Sequence, residues 1–208
     1  MYIVSYFYYN NKFLKMKKLE VKFDKSISID SKIIFHESKK QVIFVWRSNV
    51  WKSSLMNAIF EKKDLVKTSS MPGKTKLANL FLVNNKFHFV DMPGYWFAKL
   101  WQEQKEKLDS LISWYIEEFK PYIKKIIIVL DSKIWPTQKD IDMFKFLQEF
   151  EIPLIFVLNK IDKLSNNEIN KSLNYTSKAF FWQQILTSST KNFDGINDIK
   201  KELIRVLS

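Results

Sequence analysis

The sequence predicts a three-layer α/β domain, in which a mostly parallel sheet of six strands, with one antiparallel edge strand, carries helices on both faces. Three observations predict this class. Short apolar runs alternate with segments of helical periodicity, and polar residues follow most of the apolar runs. In addition, 208 residues suffice for one well-packed domain but not for two of ordinary size.

Six apolar runs are the predicted strands, at residues 42–45, 77–83, 87–90, 126–130, 153–158 and 185–186. The runs are short enough to be strands, and turn-forming or polar residues separate them. The pair Asn84-Asn85 between the second and third runs is typical of a tight hairpin turn. We therefore predict that these two strands form an antiparallel pair at one edge of the sheet.

Five segments with helical periodicity lie between or after these runs, at residues 53–60, 101–119, 137–150, 166–178 and 196–207. The chain shows neither an internal repeat nor a low-complexity linker. We therefore place one domain at residues 19–208 and a tail at residues 1–18. Residues 1–15 lack the features of a signal peptide, and Met16 begins a sequence typical of a natural start. Residues 1–15 are thus interpreted as a tail or as an over-extended start.

The composition limits the class of protein further. The chain has no Cys, which excludes disulfides and agrees with a cytoplasmic location. No apolar run approaches the roughly 20 residues of a membrane span. The net charge of +12 favours a polyanionic partner such as RNA, but the bias of an AT-rich genome towards Lys would raise the charge as well. Composition alone leaves the partner open.

The segment that follows the first predicted strand has the Lys-Ser pair and the strand-to-helix context of a phosphate-binding P-loop. It reads Trp46-Arg47-Ser48-Asn49-Val50-Trp51-Lys52-Ser53. In such a loop the backbone N–H groups cradle the phosphates, Lys52 reaches the β and γ phosphates, and the Ser53 hydroxyl binds Mg²⁺. Trp46 and Trp51 stand where glycines are expected, so a charged helix start after a buried strand is the alternative interpretation.

Three further elements end predicted strands, where open α/β sheets bind ligands. The first, with a carboxylate that would hold Mg²⁺ through water and a Gly for the γ-phosphate, is Asp91-Met92-Pro93-Gly94. The second, in which Asp162 would accept hydrogen bonds from guanine and Lys160 would lie along its ring, is Asn159-Lys160-Ile161-Asp162. The third, from which a backbone N–H would meet the guanine oxygen, is Thr187-Ser188-Ser189. Together the four elements predict a site that binds GTP rather than ATP.

These segments resemble the EngB (YihA/YsxC) family, within the TrmE-Era-EngA-EngB-Septin-like class of P-loop GTPases. The family patterns GRSNxGKSS, TSxTPGxTQ and DLPGYGYAK are matched by residues 46–54, 68–75 and 91–99, and the resemblance extends from about Leu19 to the C-terminus. It implies a G domain in which Ser53 and Thr75 bind Mg²⁺ and Asn49 binds K⁺. It also implies a switch I that closes over the nucleotide, formed by Gly73, Lys74, Thr75, Lys76 and Leu77, and a switch II at residues 93–99.

The resemblance further implies a function. The family assembles the large ribosomal subunit, and its loss causes defects in cell division and septation, so the expected partners are GTP or GDP and a large-subunit precursor, bound by a monomer. Tyr95 stands where a water-orienting Gln normally follows the DxxG element. A phenol cannot take the same two-sided role, so the catalytic group stays unassigned and hydrolysis is expected to be slow without a partner.

Tryptophan replaces the family's small residues at four positions: Trp46 and Trp51 in the P-loop, Trp96 in switch II, and Trp135 in a later loop. The chain has 3 Gly and 7 Trp, which suggests one shared cause. We hypothesise that UGA codons encode glycine in the native protein. The alternative is a degenerate, nucleotide-blind module that binds RNA or protein. If Trp46 and Trp51 are real, their indoles are expected to block the phosphate site and to disfavour the positive φ of the loop.

Overall fold

The computed structural model describes residues 19–31, 39–47, 50–63, 65, 77–95 and 102–207. Its strands are β1 (Val21–Ile27), β2 (Lys40–Trp46), β3 (Ala78–Val83), β4 (Phe87–Asp91), β5 (Ile123–Asp131), β6 (Leu154–Asn159) and β7 (Ile185–Ser188). Its helices are α1 (Lys52–Phe60), α2 (Gln102–Phe119), α3 (Gln138–Gln148), α4 (Asn166–Ala179) and α5 (Ile196–Leu207). All five predicted helices are present, and their bounds differ from the predicted ones by no more than two residues.

The described strands form one sheet in the order β1-β3-β4-β2-β5-β6-β7. β3 runs antiparallel to both of its neighbours, and the other pairs are parallel. The predicted hairpin is confirmed, since Asn84 and Asn85 both have positive φ, as a tight hairpin turn requires. The predicted class of fold is therefore correct.

The predicted number of strands is wrong, because the sheet has seven strands and not six. The seventh is β1, which covers β3, so the hairpin lies one strand inside the edge. β1 buries only its end residues, Val21 and Ile27, while the five residues between them are exposed. An edge strand of this kind contains no apolar run, and its register also shifts between Phe23 and Lys25. Hydrophobic patterning therefore could not identify it.

Two apolar layers enclose the sheet. One joins it to α2, α3 and the end of α4, and the other joins it to α1 and α5. In the second layer Phe44 stacks on Phe89 at 4.1 Å and on Trp46 at 5.3 Å between ring centroids. Within the described ranges, no helix combines the length and the apolar character that crossing a membrane would require. Helices thus cover both faces of the sheet.

The register of the central strands brings their carboxyl ends to one edge. Trp46 pairs with Val129, Asp131 with Asn159, and Asn159 with Ser188. Asp91, at the end of β4, pairs with Phe44 of β2. The polar elements that the sequence places after separate strands therefore lie side by side, which is where α/β sheets bind ligands.

Candidate nucleotide-binding site

The loop between β2 and α1 ends on Trp51, which caps the helix in a left-handed conformation, with φ 59° and ψ 49°. Of the remaining loop residues, Ser48 and Asn49 lie outside the described residues, while Val50 is buried. A bulky residue in this conformation costs roughly 1–2 kcal/mol, whereas glycine adopts it freely. The backbone at position 51 thus has the left-handed conformation for which a glycine was expected here.

The Trp51 side chain is 49% exposed and lies beside the predicted guanine-reading element. The ammonium of Lys160 is 4.9 Å from the centre of the indole ring, and that of Lys163 is 5.8 Å away. Both are cation–π contacts. Lys160 is the residue expected to lie along the ring of a bound guanine. The Trp51 indole therefore lies beside Lys160, where that guanine is expected.

The backbone at Trp46 differs from the one expected for a P-loop glycine. It is the last residue of an extended strand, so it does not need positive φ, and its side chain is only 1% exposed. The indole packs on Phe44 in the layer formed with α1, and its N–H acts on the Asp91 carboxylate, whose pKa it helps to lower. The physical reason is strand alternation, which puts residues 44 and 46 on the same face of the sheet.

Lys52 and Asp91 form an ion pair across the site, with the Lys52 Nζ 2.8 Å from Oδ2 of Asp91. Asn79 also donates to Oδ2, at 3.4 Å. Burial raises the pKa of the Asp91 carboxyl, and the charge of Lys52 acts against that rise. Oδ1 of Asp91 is buried and makes no hydrogen bond within the described part of the chain. The indole N–H of Trp46 also acts on this carboxylate and opposes the rise of its pKa.

Ser53 lies one residue into α1, where its half-buried hydroxyl follows the lysine of the pair. With the free oxygen of Asp91 it forms a donor set of oxygen atoms, the kind that Mg²⁺ prefers. The described residues contain no cluster of three or more His, Asp or Glu side chains that could hold a metal alone. The residues present therefore fit a magnesium ion bound largely by ligand phosphates and water.

The DxxG segment lies along the end of β2. The Met92 N–H donates to the Phe44 carbonyl at 3.0 Å, and the Tyr95 N–H donates to the Trp46 carbonyl at 2.8 Å. Pro93 and Gly94 lie between these two attachments and are half-buried. The Tyr95 hydroxyl points inward and donates to Asp140 at 3.0 Å. Tyr95 therefore cannot stand in for a water-orienting Gln.

Asn159 links three parts of the site. Its side-chain amide donates to the Val50 carbonyl at 2.8 Å, and its side-chain oxygen accepts from the Ser188 hydroxyl at 3.1 Å. Asn159 is fully buried, so both contacts are protected from water. The residue thus holds the P-loop and the β7 element in place.

Lys160 has φ 70° and forms an ion pair with Asp131, at 2.7 Å between Nζ and Oδ2. Asp131 also accepts the Lys133 N–H at 3.0 Å, and so fixes the loop after its own strand. Its second contact was not predicted, because residues 131 and 160 end different strands. Asp131 thus orients the lysine expected to lie along the guanine ring.

Asp162, in the short 3-10 turn Ile161–Lys163, has one engaged oxygen and one free of hydrogen bonds. Oδ1 accepts from the Ser189 hydroxyl at 2.8 Å, while buried Oδ2 makes no hydrogen bond within the described residues. Lys163 is 4.0 Å from Oδ2. Because the hydroxyl fixes the carboxylate, the free oxygen is oriented as a ready acceptor for the N–H groups of a guanine base.

The Thr187-Ser188-Ser189 element supports this arrangement from β7. The Ser189 N–H donates to the Asp194 carbonyl at 3.0 Å, so this amide is engaged inside the chain and Ser189 acts through its hydroxyl. The following loop returns closely over the strand at Gly195. There φ is 70°, and an added Cβ would stand 1.8 Å from the Thr187 carbonyl oxygen.

Gly195→Ala is therefore expected to lower the free energy of unfolding by about 2 kcal/mol or more, since it combines a disfavoured φ with a backbone clash. Thermal unfolding followed by circular dichroism measures this. Asn197→Ala, at an exposed position two residues later in α5, is the control and should leave stability nearly unchanged. Equal stability of the two variants would contradict the tight approach of this loop.

Several predicted residues lie outside the described residues: Ser48, Asn49, Gly73, Lys74, Thr75, Lys76 and Trp96. The predicted K⁺ site at Asn49, the Mg²⁺ role of Thr75 and both complete switches stay predictions. Leu77 precedes β3 and is half-buried. The described residues nevertheless bring together one part of each of the four elements that end strands.

Comparison with known proteins agrees with this site. The family model described as 50S ribosome-binding GTPase matches residues 41–160. A probable GTP-binding protein EngB from Clostridium kluyveri is 40% identical over 174 residues, covering 82% of this chain and 86% of the relative. Its counterpart from Kosmotoga olearia is 38% identical over 169 residues, covering 80% and 88%.

Among solved structures, the crystal structure of a probable GTP-binding protein engB superposes with a TM-score of 0.68 and 27% identity, covering 80% of this chain and 98% of that chain. The fold and the site therefore define a P-loop GTPase G domain. The chain belongs to the EngB family of GTP-binding proteins.

Proposed function

We propose that the protein binds GTP and GDP with Mg²⁺ and hydrolyses GTP to GDP and phosphate as a molecular switch. The observation that carries this proposal is Asp162, whose carboxylate is fixed by Ser189 and keeps one buried oxygen without a hydrogen bond among the described residues. Guanine presents two N–H donors to such an acceptor, whereas adenine presents the wrong pattern. The site is therefore suited to a guanine nucleotide.

Nucleotide binding redistributes charge within the site. The Lys52 ammonium would move from Asp91 to the β and γ phosphates, leaving a buried carboxylate without its counter-charge, which is unfavourable. Mg²⁺ held through Ser53, Thr75 and water on Asp91 would supply the missing positive charge and neutralise phosphate oxygens. Ser53, Lys52 and Asp91 would thus act as one unit, and we propose that the Gly94 N–H meets the γ-phosphate.

Hydrolysis is proposed to be slow in the isolated protein. Burial raises the pKa of the Tyr95 phenol well above its usual value, and the neighbouring Asp140 carboxylate raises it further. The phenol therefore stays protonated and donates to Asp140, so it does not activate water. A water-positioning group must come from elsewhere, and we propose a ribosomal partner or a K⁺ ion held at Asn49.

We propose that the switch acts in assembly of the large ribosomal subunit in the cytoplasm, as a monomer, with the effect on cell division and septation expected for the family. The net charge of +12 suits contacts with RNA phosphates. The family description names 50S ribosome binding, in agreement with this partner. The whole of residues 19–208 is proposed to act as one G domain.

A second candidate is the nucleotide-blind module. It is favoured by the Trp51 indole, which stands beside Lys160 where a base is expected. Against it is the geometry of Asp91 and Asp162, each with a buried oxygen that lacks a hydrogen bond. Such atoms are unfavourable in a protein without a ligand for them. We therefore place the GTP switch first.

Nucleotide competition tests the proposed function. With glycine at the disputed positions 46, 51 and 96, GTP and GDP should displace a fluorescent guanine nucleotide in the presence of Mg²⁺, and ATP should do so at least about 100-fold less well. Removal of Mg²⁺ with a chelator should weaken GTP binding more than GDP binding. Competition by ATP equal to that by GTP would contradict the proposal.

The ribosomal partner is tested by sedimentation with large-subunit particles. The form bound to a non-hydrolysable GTP analogue is expected to bind about tenfold more tightly than the GDP form, as typical coupling free energies allow. Binding of either form should weaken as salt rises, because contacts with RNA phosphates release counterions. Equal binding of the two forms would remove the switch and leave only an RNA contact.

A further inference from the structure

A buried polar cluster lies beneath the site and joins three separate elements. It consists of Arg47, Tyr95, Thr137 and Asp140, and we call it the Asp140 cluster. Arg47 ends the β2 side of the P-loop, Tyr95 follows the DxxG segment, and Thr137 and Asp140 begin α3. Arg47 and Asp140 are 1% and 0% exposed. Neither sequence patterning nor the proposed chemistry accounts for this cluster.

Asp140 is the acceptor that all the other members share. Its Oδ2 lies 3.1 Å from Arg47 and accepts from the Thr137 N–H at 2.8 Å and from the Thr137 hydroxyl at 2.7 Å. Its Oδ1 accepts from the Tyr95 hydroxyl at 3.0 Å. A capping residue needs only the contacts to Thr137. The ion pair and the phenol contact therefore require a reason beyond the capping of α3.

The contacts of Asp140 with Arg47 and Tyr95 fix the chain segment that ends on Tyr95. Gly94 sits between Met92 and Tyr95, whose N–H groups are both bound to carbonyls of β2. Tyr95 also forms a parallel bridge with Arg47. Asp140 holds both partners of that bridge through their side chains. The backbone around Gly94 is thus fixed from the P-loop on one side and from α3 on the other.

We propose that Asp140 is a positioning residue, which acts through Arg47 and Tyr95 to hold the Gly94 N–H where the γ-phosphate of a bound triphosphate would meet it. The inference rests on the proposed function, since it concerns the same site. It assigns to the cluster the distinction between GTP and GDP, because Asp140 fixes the start of switch II.

The proposal predicts different effects on the affinities for a GTP analogue and for GDP. Loosening the cluster should weaken binding of a non-hydrolysable GTP analogue, which contacts Gly94, and leave GDP binding nearly unchanged. The preference for the GTP analogue over GDP is expected to fall about tenfold, the effect of one well-aligned hydrogen bond to a charged group. A purely structural role would change both affinities together or neither.

The test compares Tyr95→Phe and Asp140→Asn in the full chain with glycine at positions 46, 51 and 96, the same parent as in the nucleotide competition. Tyr95→Phe removes only the hydroxyl, so it remains informative if Asp140→Asn, which leaves Arg47 without its counter-charge, fails to fold. Tyr115→Phe is the matched control, because Tyr115 is also buried and donates to Gln41 at 2.9 Å, away from the site. Asp142→Asn, at an exposed position of α3, matches the charge change.

Two readouts decide the proposal. Titration should show the tenfold loss of preference in both cluster variants and in neither control. Amide hydrogen exchange of nucleotide-free protein should accelerate at residues 92–95 in Tyr95→Phe. The variant lacks the hydroxyl contact with Asp140 that helps to hold this backbone against β2. Unchanged exchange there, or an equal loss of GTP-analogue and GDP affinity, would overturn the proposal. Absence of nucleotide binding by the parent chain would instead mark failure of the proposed function.

Discussion

Trp51→Gly is expected to strengthen GTP binding by about 3 kcal/mol, a factor on the order of 100. The indole lies 4.9 Å from the Lys160 ammonium and would compete with the base for that contact. Removing it also opens the end of the P-loop, whose N–H groups can then approach phosphate and form charge-assisted hydrogen bonds. Isothermal titration calorimetry of the two proteins with GTP and Mg²⁺ measures the change.

Trp182→Gly is the matched control for this substitution. Trp182 also has positive φ, at 61°, but it is exposed in the connection that enters β7, at the opposite edge of the sheet from the site. Both changes replace a strained tryptophan by glycine, so both should relieve backbone strain. Only Trp51→Gly should change GTP affinity. No gain in affinity, or an equal gain in both variants, would contradict the role assigned to position 51.

Asp162→Asn is expected to lower GTP affinity by about 100-fold and to make xanthosine triphosphate the preferred ligand. The substitution exchanges a carboxylate oxygen for an amide donor. Xanthine offers an acceptor at the position where guanine has its amino group. The Ser189 hydroxyl holds the other oxygen at 2.8 Å, so the amide should keep the orientation of the acid.

Competition between the two triphosphates for Asp162→Asn checks this reversal. Asp194→Asn, in the exposed loop beyond Ser189, removes the same charge close by without changing the acceptor in the base site, and should keep its preference for GTP. If Asp162→Asn weakens both triphosphates equally, the residue supports the loop but does not read the base.

Much of the site could be predicted because its residues end strands. A polar residue after a buried run marks a strand end, and the ends of parallel strands meet at one edge. This reasoning applies to Asp91, Asn159 and Ser188, which the register places side by side with the P-loop strand. The P-loop pattern identifies Lys52, but its ion pair with Asp91 was not predicted.

What sequence reasoning missed depends on contacts between remote positions. Asp140 joins residues 47 and 95 through buried side chains, and no local periodicity reveals such a contact. β1 was missed because its exposed middle contains no apolar run. Strand alternation puts the Trp46 side chain on the same face of the sheet as Phe44, where it packs in the core.

The decoding hypothesis receives different support at different positions. Trp51 combines a left-handed backbone with a place in the ligand site. Positive φ alone does not identify glycine, since Phe181 and Phe193 also have it. Trp46 is accommodated in the core, and glycine there would leave a cavity in this packing at a cost of about 3–5 kcal/mol. The structure thus favours glycine most clearly at position 51.

The central claim is that this chain is a working GTP-binding protein whose native P-loop carries glycine at position 51. Mass spectrometry of the P-loop peptide, from protein purified from the source cells rather than produced from the printed sequence, tests it most directly. The hypothesis of UGA decoding predicts glycine at positions 46 and 51, and at 96 in the switch II peptide. Tryptophan at position 51 in the native peptide would contradict the claim and favour the nucleotide-blind module.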